Sequence, residues 1–264
     1  MAGNTWPTGP GCGRLVGMTH IAVQLYSLRD LLGEDQRDAT LSQLSAWGLT
    51  EVEAFAIDQF DWLPDALARH GLTSPTAHAN VIGPDQAKLF EIAGQIGCHT
   101  IFQPYFPPEK WASKEGIGEL ASLLNDAAVK GAEHGVRVGY HNHDFEFAYD
   151  FDGVNSYDYF VSQLADEVDL EIDTMWVSFG GQDVLAWLDR LGDKVTYLHV
   201  KDGLLNGNHE EPNLVLGTGE MDVAGVLESS PGRGWVLEFD DCATDMMEAV
   251  GASIAYINEK VKNK

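Results

Sequence analysis

The stretch His141-Asn142-His143-Asp144, followed closely by Glu146, gathers two imidazoles, an amide and two carboxylates in six residues. Farther along stand Glu171 and Asp173, then His199 and Lys201, then Glu238 and Asp240. Imidazole and carboxylate together favour Mn²⁺, Zn²⁺, Co²⁺ or Fe²⁺ over Ca²⁺. Two carboxylates also suit a Mg²⁺ or Mn²⁺ site open to substrate oxygens. Imidazole near its usual pKa can move protons as well. No pair of these groups stands at i,i+4 on one helix, so they can act together only if the fold gathers them.

The elements that could do so are visible in the apolar pattern. Short apolar runs are expected as strands at 20–27, 50–55, 72–79, 98–104, 136–143, 168–176, 194–202 and 234–240. Runs with helical spacing follow each one: 36–48, 61–71, 83–97, 114–135, 155–165, 181–192, 221–230 and 244–262. Asn155 or Ser156 is placed to cap the fifth helix. Eight strand–helix units without a long linker imply a parallel sheet, and eight repeats imply closure. The expected fold is therefore α/β, a single-domain (β/α)8 TIM barrel over 18–264. Residues 1–17, rich in Gly, Pro and Thr, are expected to be a flexible N-terminal extension. An open doubly wound sheet is the competing architecture, but no GxGxxG follows the first strand.

In such barrels chemistry collects at the carboxyl ends of the strands. The polar residues fall there: Gln24 and Tyr26, Glu53, His78 and Asn80, Gln103, His141 to His143, Glu171 and Asp173, His199 and Lys201, Glu238 and Asp240. One polar strand end means little; a hit at nearly every strand points to one shared pocket. Glu171, two residues before Asp173, should point the same way but deeper, as a buried internal partner. His78 is expected to be a satisfied polar residue and Asp240 a loop or capping acid. His20, His70, His99, His134 and His209 receive no role.

Composition narrows the partners. The chain has 264 residues and a formal net charge of −25, from 41 acids against 16 bases. Such a chain repels nucleic acid and anionic membranes. No run of about 18 apolar residues offers a membrane span, and 1–17 lacks the apolar stretch of a signal peptide. Cys12, Cys98 and Cys242 are far apart and odd in number, so a cytoplasmic location fits better than a disulfide framework. A small-molecule partner and a possible homo-oligomer remain.

The segments VQLYSLRD (23–30), YHNHDFEF (140–147), LEIDTMWV (170–177), LHVKDG (198–203) and LEFD (237–240) resemble the sugar phosphate isomerase/epimerase group of the xylose-isomerase-like barrel superfamily. The resemblance runs from about residue 20 to 262. It implies one divalent metal ion, Mn²⁺ first, with Mg²⁺, Co²⁺ or Zn²⁺ as alternatives. Carried over, its ligands are Asp173, His199 and Glu238, with His141 where many relatives keep a Glu. That departure removes one negative charge and one of two glutamate bases, and it leaves Glu146 as an alternative ligand. Glu238 is expected to transfer a proton as well as to ligate, with His143 or His141 on the opposite face; the other expectation for His143 is to orient a ligand from behind. Gln24 and Glu53 are candidates for hydroxyl recognition, and Tyr26 and Trp176, with Phe145 and Phe147, for an apolar wall against a sugar. Lys201 is expected either to bind a substrate oxygen or to pair with Asp202.

The leading expectation is a metal-dependent isomerase or epimerase of a sugar or keto-sugar acting through an enediolate. A lyase or dehydratase could use the same proton abstraction to eliminate a β-leaving group from a 3-keto-glycoside or inosose. A non-catalytic sugar-binding barrel or partner subunit is the alternative outside enzymology. DNA-repair nucleases of the superfamily need a DNA-facing basic surface, and a net charge of −25 argues against that reading.

Overall fold

Alternating apolar runs and amphipathic stretches build the expected barrel in the structure, a computed structural model that describes residues 20–262. The extension at 1–17 lies outside the described residues. The barrel strands are β1 (Ile21–Val23), β2 (Glu51–Phe55), β3 (Thr73–His78), β4 (Thr100–Gln103), β5 (Arg137–His141), β6 (Val168–Asp173), β7 (Val195–Val200) and β8 (Gly234–Leu237). All are parallel, in the order β1-β8-β7-β6-β5-β4-β3-β2. A parallel bridge between Gln24 and Glu53 joins the two ends of that order and closes the ring.

The helices outside it are α1 (Arg37–Ala46), α2 (Leu63–Arg69), α3 (Gln86–Ile96), α4 (Lys114–Glu133), α5 (Ser156–Gln163), α6 (Thr174–Phe179), α7 (Val184–Leu191), α8 (Val223–Ser229) and α9 (Met246–Lys262). Side-chain caps start several of them, as expected where the first amides of a helix lack partners. Ser113 accepts from Gly116 N at 3.1 Å to start α4. Asn155, not Ser156, caps α5, accepting from Tyr157 N at 2.9 Å. Leucines, isoleucines and valines fill the space between strands and helices, with Trp111, Tyr140, Tyr157 and Phe160 packed as one aromatic group. Burial pushes the Cys98 thiol pKa up, and Cys98 and Cys242 are both free thiols.

All the expected strands are somewhat longer than the observed ones, and three lose three or more residues at the carboxyl end, at or just before a polar residue. The run 20–27 stops at Val23, because the Gln24 side chain accepts from Tyr26 N at 3.1 Å and turns the chain into a 3-10 helix, Leu25–Leu31. The run 168–176 stops at Asp173, whose carboxylate caps α6. The run 234–240 stops at Leu237. A 3-10 turn at Pro108–Ala112 and a short hairpin, Asp150–Phe151 with Val154–Asn155, had no clear signal in the apolar pattern.

Strand alternation sorts the barrel interior into layers. Ala22, Phe102, Tyr197 and Val236 form a separate apolar cluster. Tyr197 and Val236 stand two residues before His199 and Glu238, so this cluster floors the polar layer above it. Gly139 makes room for it, since a Cβ there would lie 2.4 Å from the Phe102 ring and 2.7 Å from Asp169 O.

Candidate metal centre

The upper interior layers carry the polar residues. Ligand atoms of His141, Asp173, His199 and Glu238, from β5, β6, β7 and the end of β8, all lie within 4.8 Å of one another and are buried. They meet because each strand ends at the same height in a closed ring, a relation no local spacing encodes. His78, His141, Glu171 and His199 form a second grouping of the same kind that shares two residues with the first.

Each member is held locally. Asp173 Oδ1 accepts from Met175 N at 3.0 Å and Trp176 N at 2.9 Å, capping α6. Its other oxygen, Oδ2, is buried without an aligned hydrogen bond, although the Lys201 ammonium lies 2.9 Å away. Asn142 Oδ1 accepts from Asp173 N at 3.0 Å, tying β5 to β6. His199 Nδ1 lies 2.7 Å from Glu238 Oε2, and its Nε2 lies 2.6 Å from Glu53 Oε1. His141 Nδ1 lies 3.0 Å from Glu171 Oε2, which is also 2.5 Å from His78 Nε2.

These charges set the protonation. Burial and the neighbouring His199 hold the His141 pKa well below the usual imidazole value, so it is neutral and able to ligate. Burial also opposes charge on His199, but Glu171, Glu238 and Glu53 around it outweigh this and hold it well above. Burial works to raise Glu238, yet the Lys201 and His199 charges hold it well below the carboxylate range. Burial raises Asp173, with Lys201 and His199 pulling the other way. Of the two deeper carboxylates, Glu53 is raised by burial and by Glu171; Glu171 is held well below by His199 and His78 despite its burial.

The donor set fits a divalent ion. It offers two imidazoles and two carboxylates, and one Asp173 oxygen is buried without a well-formed partner. Glu146 belongs to neither grouping. Its oxygens accept from Tyr140 OH at 2.9 Å and His143 N at 2.8 Å, which orders the turn after β5.

The other expected site residues distribute around the cluster. Gln24 and Glu53 are fully buried, with Gln24 Nε2 donating to Glu53 Oε1 at 2.8 Å. Lys201 is almost fully buried, and its ammonium lies 2.8–2.9 Å from Asp173, Glu238 and Asp240 rather than beside Asp202. Asp202 instead accepts from the amides of Gly203, Gly217, Gly219 and Met221 and orders the loop after β7. His143 stacks on Phe145 and lies near Trp176. Tyr26 is 41% exposed at the rim, with the Arg29 guanidinium over its ring. Phe147 is core, packed on Tyr157 and Trp187.

A cavity of about 200 Å³ is lined by Met175, Trp176, Phe179, His209, Glu210, Glu211, Asn213, Asp240 and Asp241; none of the four cluster residues lines it, and it adjoins them through Trp176, bonded to Asp173, and Asp240, paired with Lys201. Of this lining the sequence nominates Trp176 alone for the site. His209 was given no role, yet it packs on Trp176 and Phe179 from the long loop after β7, where no periodicity could place it. Asp240 read as a capping acid; the i,i+2 relation to Glu238 was the available signal for its place beside Lys201.

Residues 41–251 match the family described as xylose isomerase-like TIM barrel. No curated protein matches the chain in sequence. Among solved structures, a sugar phosphate isomerase/epimerase from Parabacteroides distasonis ATCC 8503 is similar at 19% identity and a TM-score of 0.75, covering 93% of this chain and 97% of that one. A probable 3-DHS dehydratase from Bacillus anthracis has 12% identity and a TM-score of 0.70, with 91% and 99% covered. An L-ribulose 3-epimerase has 14% identity and a TM-score of 0.67, with 93% and 95% covered. At these identities the likeness is one of fold.

Proposed function

The chain belongs to the xylose isomerase-like TIM barrel family, and from that membership we propose that it is a divalent-metal-dependent isomerase or epimerase of a sugar or keto-sugar. The observation that carries this reading is the meeting of His141, Asp173, His199 and Glu238 in one buried cluster that adjoins a cavity walled by Trp176. Bound there, a divalent ion supplies Lewis acidity that stabilises the negative charge of an enediolate. Mn²⁺ is the ion proposed, with Mg²⁺, Co²⁺ or Zn²⁺ able to serve.

The chain's own residues do the rest. Glu238, kept ionised by Lys201 and His199, takes the proton from the carbon beside the substrate carbonyl. His143, with neutral His141 behind it, returns a proton on the opposite face. Trp176 and Tyr26 pack against the sugar. Gln24, Glu53 and Lys201 act through the residues they hold.

A lyase reading shares the first step. The enediolate then expels a β-leaving group, as on a 3-keto-glycoside or inosose, and the departing oxygen takes up a proton. One feature favours it: His141 stands where many relatives keep a Glu, and His143 Nδ1, 3.7 Å from Glu146 Oε1, has no hydrogen-bond partner. An imidazole suits protonation of a leaving oxygen.

Incubation in D₂O with a panel of ketoses and 3-keto-glycosides, with and without EDTA, tests both. Deuterium at the α carbon that disappears with EDTA is the expected result, and the product then separates isomerase from lyase. No exchange on any substrate, no stoichiometric metal and a harmless Asp173→Ala would together favour a non-catalytic sugar-binding barrel.

A further inference from the structure

Each imidazole of the cluster has two nitrogens, and only one can face a cation. Which one is fixed by the proton on the other. His141 Nδ1 lies 3.0 Å from Glu171 Oε2. That leaves His141 Nε2 for a metal. His199 is reversed: its Nε2 lies 2.6 Å from Glu53 Oε1 and 3.2 Å from Glu171 Oε2, while Nδ1 faces Glu238. Both carboxylates are fully buried, and each keeps one oxygen without a hydrogen-bond partner, Glu53 Oε2 and Glu171 Oε1. His78 lies between them, 2.5 Å from Glu171 and 3.3 Å from Glu53. Burying two carboxylates with one oxygen each unpaired is costly in a core that apolar side chains could fill, and the imidazoles of His78, His141 and His199 between them offset that cost.

We propose that Glu171 and Glu53 are positioning residues of the metal centre, which lock His141 and His199 into opposite tautomers and lend both imidazoles negative charge. This rests on the reading of His141, Asp173, His199 and Glu238 as the ligands. With His141 a neutral ligand, the outer set supplies only two carboxylates. The layer below supplies two more, each within hydrogen-bond distance of an imidazole that would hold the ion. Glu171 is the hub, since its Oε2 faces three imidazoles.

The test is Co²⁺ binding, read by visible absorption and titration, in the wild-type chain, Glu171→Gln, His141→Ala and the double variant. The wild type is expected to bind one ion. Glu171→Gln should weaken binding about 10–100-fold and alter the Co²⁺ spectrum. In the double variant the loss should be smaller than the sum of the two single losses, because Glu171 acts in part through His141. Additive losses, or unchanged affinity in Glu171→Gln, would overturn the inference and leave the metal site standing. Two ions per chain, one of them lost in Glu171→Gln, would overturn it by making Glu171 a ligand. A wild-type chain that binds no Co²⁺ would remove the metal reading itself, and this inference with it. A second measurement needs no variant: long-range ¹H–¹⁵N correlation of the Zn²⁺-loaded wild type. One imidazole bound through Nε2 and one through Nδ1 is expected; both bound through the same nitrogen would overturn the proposal.

Discussion

Asp173 does two jobs with its two oxygens, and a pair of substitutions separates them. Oδ1 caps α6, and Oδ2 faces Lys201 and the ligand cluster. Asp173→Asn keeps an oxygen for the cap and removes the charge. It should unfold within about 1 kcal/mol of wild type, while metal affinity falls by roughly 100-fold or more. Asp173→Ala loses the cap as well and should cost about 1 kcal/mol beyond Asp173→Asn. Equal metal affinity in wild type and Asp173→Asn would remove Asp173 from the ligand set. His199 sets the pH dependence. Its acidic neighbours hold its pKa well above the usual imidazole value, so at neutral pH a proton competes with the cation. Metal affinity should therefore rise with pH from below neutrality until His199 deprotonates, by about tenfold per unit for one displaced proton. Titrations in buffers of different ionisation enthalpy would count that proton. At this scale the sequence showed which residue types were present, and resemblance picked out Asp173, His199 and Glu238. The partners of Lys201 and Glu146 were not legible, because they depend on which neighbours the closed ring brings within 3 Å.

Strand ends and strand alternation place these side chains. Gly139 shows how tight the fit is beneath the site. It stands on β5 two residues before His141, and any Cβ there meets the Phe102 ring and Asp169 O. Gly139→Ala should destabilise by about 1–3 kcal/mol through overpacking, seen as a lower denaturant midpoint at unchanged slope. A shift of His141 should follow, with weaker metal binding. An unchanged midpoint would mean that Phe102 yields freely. The elements themselves were largely legible, since strands and helices differ in apolar period. Where the reading overran, at Gln24, Asp173 and Glu238, a polar side chain or the end of pairing stopped the strand. Apolar periodicity does not register such a stop when further apolar residues, such as Trp176 and Phe239, follow it.

For the whole molecule, binding to the folded state alone adds stability by mass action. A divalent ion at a hundred times its Kd should add about 2.7 kcal/mol. In a chain of this size that raises Tm by roughly 5–10 °C, and EDTA should reverse it. No shift with any of Mn²⁺, Co²⁺, Zn²⁺ or Mg²⁺ would count against the site. The net charge of −25 works at the same scale, opposing a phosphate-backbone substrate. Among the described residues, no helix is long and apolar enough to cross a membrane.

The sequence by itself determined the eight-fold alternation and therefore the barrel, since period and chain order are local properties that survive without coordinates. It also determined that imidazoles and carboxylates would share the carboxyl ends of the strands. Only the tertiary structure decided which of them meet and at what depth in the barrel. That meeting depends on closure, which brings Glu53 of β2 within 2.6 Å of His199 of β7 across 146 residues. Distances of that kind are set by strand stagger and by the packing beneath the layer, and neither leaves a local mark in the chain.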